Sequence, residues 1–146
     1  DIVSMLVVRI STEECLPLRS KVLRPGQPIE MCRYPFDPEA VHFGVFLENR
    51  LLSIVTAHPE NLPLFPEQAQ WRIRGMASEP ECRGRGYGGA ALSALLAWGR
   101  AERLPLFWCN AREKAIPFYL RHGFSVESEL FEIAGIGPHK VLKISL

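Results

Sequence analysis

Hydrophobic and polar positions divide this chain into runs of period two and runs near period 3.6, which separate strands from helices. Residues 5–10 are rich in Val, Leu and Ile and predict a first strand, within an apolar start that reaches back to Ile2. Ser11-Thr12-Glu13-Glu14 reads as a capping box, with Ser11 as N-cap and Glu14 reaching back to it. A helix then runs through Leu18, Val22 and Leu23 and stops at Arg24-Pro25-Gly26. Residues 26–38 hold Pro28, Pro35 and Pro38 and little periodicity, which predicts a long loop with room for a short helical turn. Such a loop is either a surface excursion or the border of a binding site. Residues 41–48 and 51–57 flank Asn49-Arg50 as a hairpin, since Asn accepts positive φ, and His42 reads as a strand residue near a sheet end. Residues 58–68, with Pro59, Pro63 and Pro66, connect to an alternating strand over 71–77. A helix over 90–102 places Leu92, Leu95, Leu96 and Gly99 at helical spacing. A strand over 106–110 and a helix over 114–122 follow, Pro117 in the first turn and Gly123 as left-handed cap. Strands over 125–133 and 140–146 close the chain.

That order is not the strict alternation of a doubly wound sheet, and it predicts a mixed α+β fold. No repeat, low-complexity tract or linker divides residues 1–146, which read as one domain.

Between the strand at 71–77 and the helix at 90–102 lies Arg83-Gly84-Arg85-Gly86-Tyr87-Gly88-Gly89. Four glycines leave the backbone unshielded where a helix begins, so consecutive amides can converge on an anion at the positive end of the helix dipole. Phosphate is the anion that suits this loop, and Arg83 and Arg85 add guanidinium forks. Gly84, Gly86 and Gly89 spell the dinucleotide fingerprint, but the next strand ends in Asn110, not in an acid, and the acid near the required spacing, Glu102, is inside the helix. The G-K-[ST] of a nucleoside-triphosphate loop is missing too. The local basic cluster of Arg72, Arg74, Arg83 and Arg85 reads as serving one polyphosphate ligand.

Arg83-x-x-Gly86-x-Gly88 resembles the R/Q-x-x-G-x-G/A signature of the GNAT superfamily of acyl-CoA-dependent N-acyltransferases. Trp108-Cys109-Asn110-Ala111-Arg112, then Ala115-x-x-Phe118-Tyr119-x-x-x-Gly123-Phe124, is similar to the family's second cofactor element. The tail 133–139, Ile-Ala-Gly-Ile-Gly-Pro-His, resembles a segment of some small bacterial members. The likeness covers residues 71–146.

The resemblance implies a central, mostly antiparallel twisted sheet with a splayed parallel strand pair, flanked by helices. It implies acetyl-CoA as co-substrate, with Arg83, Gly84, Arg85, Gly86, Tyr87, Gly88 and Gly89 on its pyrophosphate. Backbone groups of Met76, Ala77 and Ser78 would polarise the thioester carbonyl and meet the pantetheine, and Asn110 would touch the cofactor arm unless it only caps a turn. Tyr119 occupies the position of the family's general acid, although it also reads as a core aromatic with a satisfied hydroxyl. The family often carries a carboxylate on the central strand, where this chain has Gln70, Arg72 and Arg74. The base is therefore open among Glu79, a loop acid before Pro80, His139, a turn residue after Pro138, and water.

Composition adds bounds. With 47% hydrophobic and 23% charged residues the chain is an ordinary globular sequence, and 146 residues suffice for a sizeable core. A net charge of +1 argues against a nucleic-acid surface. No apolar run approaches the roughly 18 residues of a membrane span, and no basic segment or cleavage pattern frames the apolar start, which places the protein in the cytoplasm. Cys15, Cys32, Cys82 and Cys109 form no C-x-x-C pair and no metal spacing, and read as reduced structural thiols. Cys109 with His122 or His139 would make a thiol hydrolase, but a thiol beside Phe107 and Trp108 in an apolar strand is usually inert. A further alternative is an acyl-CoA-sensing module without turnover. The expected partner is a small-molecule or peptide amine, with a homodimer as one assembly open to the protein.

Overall fold

The computed structural model describes residues 5–146; the part of the predicted first strand before Met5 lies outside them. Four strands, β1 (Met5–Ile10), β2 (Val41–Leu47), β3 (Arg50–Pro59) and β4 (Trp71–Ser78), form an antiparallel meander. β5 (Leu106–Arg112) then joins β4 in parallel, and β8 (Gly137–Ser145) pairs antiparallel with β5. The short strands β6 (Ser125–Val126) and β7 (Phe131–Ile133) both pair with β8. The sheet order is β1-β2-β3-β4-β5-β8-β6, the mixed sheet that was expected, with one parallel pair at its centre.

Helix α2 (Tyr87–Ala101) lays Leu92, Leu95 and Leu96 on one face of the sheet, against Val45, Val55, Ile73 and Phe107. The other face takes α1 (Thr12–Leu18), whose Cys15 and Leu18 meet Ile10, Ile54 and Ala77. Neighbours Ile54 and Val55 thus serve opposite layers, as strand pleating dictates. Further along, the segment before β4 covers β5, with Phe65 on Leu106 and Trp108, and Trp108 donating Nε1–H to the Glu60 carbonyl at 2.8 Å. Helix α3 (Ile116–Arg121) closes the α2 side through Tyr119, and Gly123 ends it at φ +93°.

The capping box forms as read, with the Glu14 amide on Ser11 Oγ and Glu14 Oε1 on the Ser11 amide. Pro17 then removes a donor inside α1, and the helix widens into a π turn at Arg19–Leu23, closed by the Arg24 amide on the Arg19 carbonyl at 3.0 Å. Arg19 is thereby buried and makes a bidentate pair with Asp37 at 2.8 and 2.9 Å, which pins the 26–38 segment to the body. That segment contains 3-10 turns at Ile29–Cys32 and Asp37–Glu39.

Three expectations shift. The hairpin turn is Glu48-Asn49, with φ +48° and +68°, instead of Asn49-Arg50; a bulge between Val45 and Phe46 adjusts the register. The strand read over 125–133 is interrupted, because the Ser128 hydroxyl takes the Val141 amide at 2.8 Å in place of a backbone carbonyl. β8 begins at Gly137, so His139 is a strand residue and not part of a turn.

Candidate active site

β4 and β5 pair only at Trp71 with Phe107 and Arg72 with Trp108. Beyond that point they part, and a cleft of about 1030 Å³ opens between Ile73–Ser78 on one side and Cys109–Arg112 on the other. Its shape owes much to Gly75. Thr56 faces Arg74 while Ile54 faces Ala77, so β4 carries one extra residue, a bulge that bends the strand and re-aims its backbone. Gly75 sits at φ +63°, and a Cβ there would lie 3.2 Å from the Tyr34 ring. Backbone conformation and close packing both require glycine. A glycine inside a strand pattern was the available sign of this bulge.

The glycine loop delivers the expected helix start. Gly84 and Gly86 take φ +80° and +86°, and Gly86 is the N-cap of α2 with no side chain capping it. The first bond of the helix runs from the Ala90 amide to the Gly86 carbonyl at 3.0 Å. The amides of Gly86, Tyr87, Gly88 and Gly89 therefore have no partner within the helix, the arrangement that receives an anion. Of this loop, Arg83 and Gly88 border the cleft together with Met76, Ala77, Ser78 and Asn110. Gly84, Arg85, Gly86, Tyr87 and Gly89 do not line it. The Tyr87 ring is buried in the core, which leaves only its amide for a ligand. Gly89 has a packing duty, since a Cβ there would stand 2.9 Å from His122 Nε2.

Tyr119 lines the cleft and belongs to the core at once. Its ring stands edge-on to Phe118 and Phe124, with centroids 5.3 and 5.1 Å apart, and its hydroxyl is turned towards the Cys109 thiol. Burial, and then Cys109, pushes the phenol well above its ordinary pKa, so it stays protonated. Burial also pushes the Cys109 thiol up to about 12. A thiol so hard to ionise is no nucleophile, which removes the hydrolase alternative. All four cysteines are free and buried.

His139 is buried on β8 opposite Arg112 and borders the cleft. Its Nδ1 lies 2.7 Å from the Gly137 carbonyl, which can only accept, so Nδ1 carries a hydrogen and Nε2 is left as the nitrogen free to exchange a proton. Glu79 is elsewhere. It falls just past the end of β4, its amide on the Leu52 carbonyl at 2.8 Å, and its carboxylate joins Lys21 and Arg50 outside the cleft. Arg72 and Arg74 also leave the group expected of them. They alternate with Ile73, which packs on α2, and so project from the opposite face, away from the glycine loop. Arg72 pairs with Glu60 at 3.2 Å, and Arg74 stacks over Phe36 at 4.9 Å. Arg72, Arg74 and Arg83 border one cleft from different faces, and Arg85 does not line it. Arg24 and Tyr34 border the cleft without having been singled out in the sequence, because their segment has no periodicity to place them.

No helix among the described residues is long and apolar enough to cross a membrane. The sequence model of the acetyltransferase (GNAT) family matches residues 8–124. The Bacillus subtilis protein named as the uncharacterized N-acetyltransferase YitI is 35% identical over 141 residues, spanning 94% of this chain and 95% of that one. A GCN5-related N-acetyltransferase from Kribbella flavida has the same fold, with a TM-score of 0.77 over 100% of both chains at 18% identity. So does a GNAT family acetyltransferase from Elizabethkingia anophelis whose structure holds acetyl-CoA, with a TM-score of 0.72 over 98% of this chain and 99% of that one at 12% identity. By the reach of the family match and the full-length likeness to YitI, the chain belongs to the GNAT family of acetyltransferases.

Proposed function

We propose that this protein moves an acetyl group from acetyl-CoA directly to a primary amine in the cleft between β4 and β5. The observation that carries the reading is the shared cleft itself, bordered at once by the start of α2, by the β4 bulge and by the buried phenol of Tyr119. The α2 amides and Arg83 hold the pyrophosphate, and the backbone of Met76, Ala77 and Ser78 positions the thioester arm, with Asn110 facing it from β5. Acetyl-CoA supplies an activated acyl group and a thiolate leaving group. Tyr119 holds the proton that the thiolate needs. At the amine, His139 accepts a proton at Nε2, directly or through water. Glu79, held by two cations outside the cleft, takes no part in this scheme. Membership of an acetyltransferase family sets aside a binding module without turnover.

Calorimetry with acetyl-CoA, followed by an amine panel read by free-thiol release, tests the proposal. Saturable acetyl-CoA binding and amine-dependent thiol release are expected. Indifference to acetyl-CoA and to CoA would end it.

A further inference from the structure

Among the described residues no aspartate or glutamate borders the cleft, whereas Arg24, Arg72, Arg74, Arg83 and Arg112 all do. These arginines are not equivalent. Arg83 belongs to the glycine loop at the start of α2. Arg74 stands four residues before the end of β4, roughly 13 Å from it along the strand, and on the face turned away from α2. There the Tyr34 ring is shared by three guanidinium groups, with Arg19 at 4.1 Å and Arg24 and Arg74 each at 5.8 Å from its centroid. Arg19 is neutralised by its bidentate pair with Asp37. Among the described residues Arg24 and Arg74 have no carboxylate partner, and Arg74 makes no side-chain hydrogen bond.

Two like charges held beside one ring without a counter-ion repel each other, and burial together with the neighbouring Arg72 disfavours the charged form of Arg74. The aromatic faces of Tyr34 and Phe36 compensate in part by cation–π attraction. An anion bridging the two forks would remove the repulsion. Resting on the acetyl-transfer reading above, we propose that Arg24 and Arg74, ordered by Tyr34 and Phe36, are the acceptor subsite, and that the acceptor is an amine which also carries a carboxylate or phosphate. The same field opposes polycationic amines and lowers the pKa of an ammonium group placed near it, favouring the neutral nucleophile without a carboxylate base.

Steady-state acetylation of matched amine pairs tests this: the standard α-amino acids against their carboxamides, phosphoethanolamine against ethanolamine, and spermidine as the polycation. The preferred acceptor should exceed its uncharged match by roughly tenfold or more in kcat/KM, as expected for loss of a charge-assisted contact. Whichever pair shows the preference identifies carboxylate or phosphate. Arg74→Gln should erase that preference and leave the KM for acetyl-CoA within about twofold, while Arg74→Lys keeps part of it. Arg24 is exposed, so Arg24→Gln should weaken the preference with the fold intact. Arg74→Glu should invert it towards spermidine, a gain that unfolding cannot imitate. Equal or better use of uncharged or polycationic amines, no anionic amine acetylated, or a loss in Arg74→Gln that falls on acetyl-CoA would overturn the inference. Acetyl-CoA binding and thiol release with an indiscriminate panel would sink it alone, whereas failure to bind acetyl-CoA would sink the acetyl-transfer reading as well.

Discussion

Tyr119 presents its ring to the core and its hydroxyl to Cys109 at the wall of the cleft, so one side chain does two kinds of work that mutation can separate. Tyr119→Phe keeps the ring between Phe118 and Phe124 and removes only the hydroxyl, a change of at most about 1 kcal/mol. The melting temperature and acetyl-CoA affinity should therefore change little. Turnover should fall by roughly 10² to 10⁴, the range for a lost general acid, with kcat and kcat/KM reduced alike. The raised pKa fixes the sign of the pH effect: the phenol remains a donor through neutral pH, and any alkaline limb that it causes lies above the ordinary tyrosine range. Full activity of the Phe variant, measured where chemistry limits the rate, would return Tyr119 to packing alone. The family resemblance singled out Tyr119 in the sequence, but not its partner. Cys109 meets the hydroxyl through the core shared by α3 and β5.

Among the elements, α2 tests what its glycines are for. Gly86 is the residue that a first design would replace, but its φ of +86° makes any larger side chain strained, which mixes backbone distortion with lost binding. Gly88 separates the two effects. Its φ is ordinary, and an added Cβ would point at Ser78 Oγ and the Phe118 ring at 3.6 and 3.9 Å, towards the cleft. Gly88→Val should weaken acetyl-CoA binding at least about tenfold while the thermal transition is preserved, since valine in a helix costs no more than glycine. Calorimetry and a melting curve on the same sample decide it; unchanged affinity would move the phosphate site away from this turn. The glycine loop, the strands around it and both long helical patterns were legible because each is a local pattern. The β4 bulge, the break between β6 and β7 and the π turn after α1 were not, because each is completed by a partner far along the chain: Tyr34 against Gly75, Val141 on Ser128 and Asp37 on Arg19. Glu79 was read as a loop acid past the strand end, but its nearness to Arg83 in sequence gave no hint that its carboxylate faces Lys21 and Arg50.

On the scale of the whole molecule, the acceptor side of the cleft depends on one buried polar network that joins α1, the 26–38 segment, β2 and β3. Arg19 bonds Asp37, the Cys32 carbonyl and Thr56 Oγ1, and His42 links Thr56 at 2.8 Å with Thr12 at 3.1 Å. Both titratable partners make this network sensitive to acid. Burial alone would raise the Asp37 pKa, but the Arg19 hydrogen bonds, the Tyr34 amide and the Arg19 charge together hold it below the usual carboxylate value. Its contribution is present above the unfolded pKa and is lost as pH falls through the folded one. Burial, and then Arg19, pushes His42 down from 6.5 to about 4. In the window between these values the unfolded chain takes up a proton that the folded protein refuses, so stability falls with pH, by about 3 kcal/mol once pH is below 4. Urea unfolding at pH 7 and pH 4.5 should show this loss in the wild-type protein. His42→Asn should be less stable at pH 7, having lost buried hydrogen bonds, yet should lose less between the two pH values because the group that titrates is gone. Equal losses in the two proteins would mean that His42 is protonated as easily in the folded state as in the unfolded one. The acid sensitivity would then belong first to His58, which burial also holds below the ordinary histidine value; Asp37 could not supply it, because its loss is confined to pH values below the ordinary carboxylate range.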